Sequence, residues 1–226
     1  GDLRIGISPE GKVTLQRQGK AFAQWMLLQK RDREALVKNG VKLGLFFSGV
    51  NRTRTSAVCF ARAFASEMLK NGVNVQSGNP VVEKALGPMA FWNRKAWDKL
   101  QAAAGSEIAA MRRYHRNPGL VPSESPVEQG ARIEGWAAEK AAEICSKVIG
   151  SVNVVIGFSH EPQIGSARGT VHPKTPGEKY LVPAGPRAFA PASGLITHVS
   201  DSNLVTLHEM TNRQKGHRIN YIGHVG

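Results

Sequence analysis

Cysteine is almost missing from this sequence. Cys59 and Cys145 stand alone, each inside a helical pattern, and read as two buried or semi-buried thiols. Neither belongs to a Cys-x-x-Cys pair or any other metal-ligand spacing, so no metal site is expected. Acidic residues are also scarce, with 17 Asp+Glu against 30 Lys+Arg and a formal net charge of +13. That imbalance favours anionic ligands: phosphate esters, nucleotides, nucleic acid or anionic lipid. Aromatics make up only 7% of the chain, and the basic residues are dispersed rather than run together. No nucleic-acid-binding motif accompanies the charge, so a nucleic-acid partner is not expected. No apolar run approaches the roughly 18 residues that a membrane span needs. Internal repeats and low-complexity tracts are absent. The chain opens on Gly1-Asp2 without Met, a basic region or an apolar leader. Its natural beginning is therefore expected to lie elsewhere, and beyond a slight lean towards the cytoplasm no location can be read.

What is present is enough for a core: 41% of the 226 residues are hydrophobic, which suits one domain with a sizeable insertion. The chain is organised around Leu43-Gly-Leu-Phe-Phe47, an apolar run short enough for a buried strand. A small-residue turn, Ser48-Gly49, follows, and a helical pattern then runs from about Arg52 to Lys70. A strand that restarts as a helix gathers main-chain N–H groups and the positive end of a helix dipole at one point. Arg52 and Arg54 oppose that dipole, which is unfavourable unless an anion binds. The plainer alternative is a pair of solvated arginines.

Around this centre the pattern is helix, strand, helix, strand with short connections, which indicates an α/β sheet. Ser8-Pro9-Glu10 opens a helix reaching about residue 30, with Ser as cap and Pro in the first turn. Lys38-Asn39-Gly40 stops the next short helix, and Asn71-Gly72 ends the one after the central strand. A short strand candidate follows at Val73–Gln76, then Gly78-Asn-Pro80 and the segment Val81–Gly87. Residues 88–150 break the rhythm and read as a helical insertion lying over the sheet edge. Its two helices run from Trp92 to about Arg116 and from Val127 to about Ile149, with Ile108, Met111, Ile133, Trp136, Ile144 and Val148 facing inward. Val152–Phe158 is the second buried strand and ends at Ser159-His160-Glu161-Pro162. The segment 165–191 is rich in Gly and Pro and, with the helical insertion, is expected to shape the pocket mouth; Arg168, Lys174 and Lys179 would add positive charge there, although a solvated loop is the preferred reading for any one of them. Leu195–Val199 and Leu204–His208 form a hairpin, and the basic tail from Thr211 is expected to lie on the surface.

Ligands of open α/β sheets sit outside the carboxyl ends of the strands. If the two buried strands are parallel neighbours, Arg52 and His160 meet there. Arg offers a fixed fork of donors to two phosphate oxygens, and a histidine beside it can donate to a third. Alternatively, His160 merely caps the next turn.

Three segments together carry a resemblance: Ser8-Pro-Glu-Gly11, then Phe47-Ser48-Gly-Val-Asn-Arg52-Thr-Arg-Thr-Ser56-Ala57, then Val155-Ile-Gly-Phe-Ser-His160-Glu-Pro162. In this order they resemble the histidine phosphatase superfamily, the phosphoglycerate mutase-like proteins, and they frame nearly the whole chain. The resemblance implies a three-layer α/β/α sandwich over residues 1–226, with a mainly parallel sheet and a helical cap. It implies phosphomonoester hydrolysis through a phosphohistidine intermediate, without metal or cofactor, on a phosphorylated small molecule or a phosphoprotein. Arg52 matches the second phosphate-clamping arginine, Ser48 the turn serine, and His160 the second histidine; Ser56 stands where Thr is usual. The general acid is either Glu83, which has Gly87 four residues on, or Glu161, with Glu83 preferred.

One part of the pattern is missing. The family's nucleophile, the histidine of an Arg-His-Gly segment, has no counterpart before Ser8. Arg4-Ile-Gly6 would be a degenerate copy, and isoleucine has no lone pair with which to form a phosphoenzyme. The expectation is a truncated motif, and a chain that binds phosphate while hydrolysing it poorly. Two alternatives stand beside this one: a non-catalytic phospho-ligand-binding module on the same fold, and a basic nucleic-acid-binding protein.

Overall fold

The computed structural model describes residues 6–88, 93–146, 152–160, 194–199, 205–213 and 216–225. Two helices lead in. The first, α1 (Pro9–Leu28), is capped by Ser8, whose hydroxyl accepts from the Gly11 N–H at 3.1 Å. α2 (Lys30–Asn39) ends at Gly40, whose φ of 70° lies in the left-handed region and suits a residue without a Cβ. The central strand β1 (Val41–Phe47) follows directly, and α3 (Asn51–Lys70) follows β1.

The sheet is parallel and built around β1. On one edge β1 pairs along its whole length with β4 (Val152–Phe158), from Val41↔Val152 to Phe47↔Phe158. Its other edge is shared end to end by two short strands. β2 (Val75–Ser77) pairs with Val41–Leu43, and β3 (Val81–Val82) pairs with Phe46 and Phe47. The β2 strand starts two residues later than the apolar pattern places it, with Asn74 just ahead of it lending its carbonyl to the Val41 N–H.

Alternation in β1 splits its side chains between two layers. Val41, Leu43, Leu45 and Phe47 are buried on one face, where they join Phe22 and Met26 of α1, Leu36 of α2, and Phe60, Phe64 and Met68 of α3. Each such side chain contributes about 1.5–3 kcal/mol by leaving water. The α1–α3 contact is close at Gly19, where an added Cβ would collide with the Phe60 carbonyl oxygen. On the other face α6 (Pro126–Ser146) supplies the third layer. Trp136 lies edge-on to Phe46 at 5.8 Å, and Gly157 accommodates it, since a Cβ there would stand 2.6 Å from the indole. The arrangement is the expected three-layer α/β/α sandwich.

The insertion differs in detail from its sequence pattern. The first helix breaks in two, α4 (Arg94–Ala104) and α5 (Glu107–Arg116). Gly105 takes φ 78° at the end of α4, and Ser106 caps α5 by accepting from the Ala109 N–H. These helices pack a core of their own from Trp97, Leu100, Ala110, Met111, Tyr114 and Val121. Met111 is inward as expected, whereas Ile108 falls beyond that buried face and is exposed. Ile144 and Val148 lie outside the residues whose side chains are described.

The last strands form a separate antiparallel sheet, β5 (Gly194–Val199), β6 (Val205–Arg213) and β7 (Gly216–Val225). The hairpin is where the sequence places it. The tail is not loose surface chain, because β7 pairs with β6 from Val205↔Val225 to Arg213↔Gly216. Ile196, Met210 and Ile219 pack against the main core, and His208 meets Trp25 of α1 edge-on at 5.0 Å. Among the described residues no helix is long and apolar enough to cross a membrane.

Candidate functional site

Full-length pairing of β1 with β4 sets their carboxyl ends side by side. The Ser48 N–H donates to the Phe158 carbonyl at 3.1 Å, so the residues that follow the two strands share one rim. Gly49 turns the chain with φ +81°, a conformation that costs other residues about 1–2 kcal/mol. Val50 then caps α3 through its backbone alone, without a side-chain acceptor, and the first turn holds no acid. That turn carries Arg52 instead, on the exposed side.

Three of the expected residues come together here. His160 Nε2 lies 3.1 Å from Ser48 Oγ, and Arg52 Nη2 lies 3.1 Å from His160 Nδ1. A fourth residue, Thr53, had no sequence signal, since a threonine in a first helical turn is commonplace. Its Oγ1 is 2.8 Å from Ser48 Oγ and donates at 2.8 Å to the Val50 carbonyl. Both Ser48 and Thr53 are buried.

The directions of these bonds follow from the groups themselves. Arg has no acceptor, so Nδ1 of His160 accepts and a neutral ring carries its proton on Nε2. Nε2–H then donates to Ser48. Because Thr53 spends its own proton on the Val50 carbonyl, Ser48 donates to Thr53. The path therefore runs one way, from Arg52 through His160, Ser48 and Thr53 to a backbone carbonyl.

Burial lowers the His160 pKa from its usual 6.5 to about 4, and the Arg52 charge adds to the effect. Protonating Nδ1 would also set an N–H against the guanidinium that now donates to it. His160 is therefore neutral at pH 7.

Compared with known proteins, the sequence matches no protein-family model and no curated protein. The site therefore stands on its own geometry.

The remaining candidates are placed differently. Glu83 follows β3, its N–H donating to the Phe47 carbonyl at 2.8 Å, which puts its backbone beside the residue before Ser48. Its carboxylate caps the 3₁₀ turn Lys84–Leu86 by accepting from the Ala85 N–H at 3.2 Å. Ser56 bonds back to the Arg52 carbonyl within α3. Glu161, Arg168, Lys174, Lys179 and the Gly/Pro-rich segment lie outside the described residues. Among the described residues no group of three His, Cys, Asp or Glu is placed to hold a metal ion.

The 3₁₀ turn beside Glu83 is held from two sides. Ser159, next to His160, donates to the Leu86 carbonyl at 2.8 Å. Arg132 of α6 donates to the carbonyls of Lys84, Ala85 and Gly87. The same guanidinium pairs in two-pronged fashion with Glu124, at 2.9 and 2.8 Å. The Glu124 carbonyl in turn accepts from Tyr114 and Gln129. Sequence reading missed this clamp, because an arginine on a long helix looks like any solvated one.

Proposed function

We propose that this protein binds the phosphoryl group of a phosphomonoester at Ser48, Arg52 and His160, and belongs to the histidine phosphatase type of phosphoric monoester hydrolase. One observation carries the reading: Arg52 and His160, 108 positions apart, meet at 3.1 Å above the carboxyl ends of two parallel strands. The Arg52 fork leans on a neutral imidazole. An entering phosphoryl group offers oxygens for that fork, and its negative charge favours the protonated imidazole, so that Nδ1 becomes a second charged donor. Donors held in place around a transferring phosphoryl group are the main source of catalysis in this chemistry.

Turnover by a phosphohistidine route needs an in-line histidine nucleophile. Arg52 and His160 hold the equatorial oxygens, Glu83 or Glu161 protonates the leaving oxygen, and water cleaves the phosphoenzyme. A non-catalytic phospho-ligand module on the same fold is the second reading. The observation that favours it is the lack of any histidine ahead of His115 and of any Arg-His-Gly segment in these 226 residues.

Titration with inorganic phosphate, followed by calorimetry, tests the shared premise. Arg52→Ala should weaken binding about 10- to 100-fold, as expected for a bond to a charged group worth about 1.5–3 kcal/mol. Full phosphate affinity in the Arg52→Ala chain would refute the assignment. Hydrolysis of p-nitrophenyl phosphate that His160→Ala abolishes would then choose the enzyme over the module.

A further inference from the structure

Away from the rim that holds His160, a cavity of about 500 Å³ lies between α6 and the starting half of the parallel strands. α6 rests on the sheet at Phe46, where Trp136 meets the ring edge-on and Lys140 stands over it at 5.3 Å. From there towards the start of β1 the helix has less to pack on, because the next residue on that face is Gly44. A Cβ at Gly44 would meet Phe46 and Val155 at 3.3 and 3.5 Å, so those two side chains flank the space above its backbone.

Beyond Gly44 the floor turns polar. Lys42 pairs with Gln76 on one side and with Asn153 on the other, so three polar side chains form one row across β2, β1 and β4. A parallel sheet covered by helices ordinarily presents apolar residues in such a row. Lys42 and Gln76 are exposed, and among the described residues neither side chain has a hydrogen-bond or ion-pair partner. The second cation of the cavity, Lys140, is already matched by Glu143 at 2.8 Å and Glu139 at 3.3 Å. The cavity therefore combines an apolar floor with an ammonium and an amide that have donors to spare.

We propose that this cavity is a binding site of its own, for a small organic anion with an apolar ring: the acid group on Lys42 and Gln76, the ring over Gly44 between Phe46 and Val155. Its size falls within the roughly 300–1,000 Å³ of small-molecule sites, and a largely apolar lining with a few polar groups at one end is their usual make-up. The acid group gains a charge-assisted bond from Lys42, and the ring covers apolar surface that α6 leaves open. Lys42 stands six residues before Ser48 along β1, roughly 20 Å at about 3.3 Å per residue, so one small ligand cannot touch both. The proposal does not rest on the phosphoryl-site reading above.

The experiment titrates the full chain with naphthoate, whose carboxylate and ring match the two halves of the cavity, and follows ¹H–¹⁵N spectra of the protein. Naphthoate should shift the amides of β1 from Val41 to Phe46 and of β4 from Val152 to Val155, and leave His160 unmoved. Lys42→Met should weaken its binding about three- to tenfold, the range for one hydrogen bond at an exposed position, and Lys42→Arg should retain it. Gly44→Val puts a branched side chain where the ring would lie and should weaken binding about tenfold or more. Naphthylmethanol, the same ring without the charge, should bind the wild type and Lys42→Met equally. The proposal is overturned if naphthoate fails to bind below about 1 mM, or if Lys42→Met or Gly44→Val binds it as tightly as the wild type. It is overturned as well if inorganic phosphate displaces naphthoate while the His160 resonances move, since the anion would then lie at the strand ends. Lys42 is exposed, so Lys42→Met still decides the matter should Gly44→Val fail to fold.

Discussion

Acid should weaken this fold through His160 in a window that its surroundings define. In the unfolded chain its imidazole takes a proton near pH 6.5; in the folded chain burial and Arg52 hold the pKa to about 4. Between those values the unfolded state binds more protons, so stability falls as the pH falls. The contribution is fully present above about pH 6.5 and lost as the pH drops to about 4. Each tenfold difference in proton affinity between the two states is worth about 1.4 kcal/mol, so the loss across the window approaches 3 kcal/mol. That is a substantial share of the roughly 5–15 kcal/mol by which domains of this kind are stable. The assay is urea unfolding followed by tryptophan fluorescence at pH 7, 6, 5 and 4, on the wild type and on His160→Gln. Other titrating groups act in both chains and cancel in the difference. The wild type should lose about 3 kcal/mol more than the variant between pH 7 and pH 4. Parallel losses, within about 0.5 kcal/mol, would refute the placement of a neutral His160 against Arg52.

Two further predictions concern the scaffold. Arg132→Met removes the guanidinium that pairs with Glu124 and donates to the Ala85 and Gly87 carbonyls, and should cost about 3–5 kcal/mol in equilibrium unfolding. Replacing Glu124 as well, by Gln, should recover part of that loss; no recovery would mean the pair is not coupled. Gly19→Val forces a branched side chain against the Phe60 carbonyl between α1 and α3 and should cost at least about 1–3 kcal/mol, read as a lowered melting temperature.

Much of the sheet was legible because its signals are local. Leu43–Phe47 and Val154–Phe158 are continuous apolar runs within β1 and β4, and a short run of that kind is recognised as a strand without reference to its partner. Ser48, Arg52 and His160 were legible for a related reason: each follows a strand end or starts a helix, and in a parallel sheet such ends lie together. The break between α4 and α5 was also written in the sequence, as Gly105-Ser106, an end and a cap side by side. The expected single helix overlooked it because the apolar spacing continues across the break. The roles of Thr53 and Arg132 were not legible. A threonine hydroxyl reaching Ser48, or a guanidinium reaching three carbonyls of a distant turn, depends on packing between segments that no local pattern relates. Glu83 illustrates the middle case, with its place beside the site foreseen but not its service as a cap.

The separate core of α4 and α5 bears on how the chain assembles. β4 must find β1 across the whole insertion, and closing a long loop costs more entropy than closing a short one. Trp97, Leu100, Met111, Tyr114 and Val121 meet within one short stretch of sequence. Contacts so local form early, and once formed they draw one stretch of a long flexible connector into a compact bead. The excursion that looks like a burden on the sheet is thus a shortcut to it.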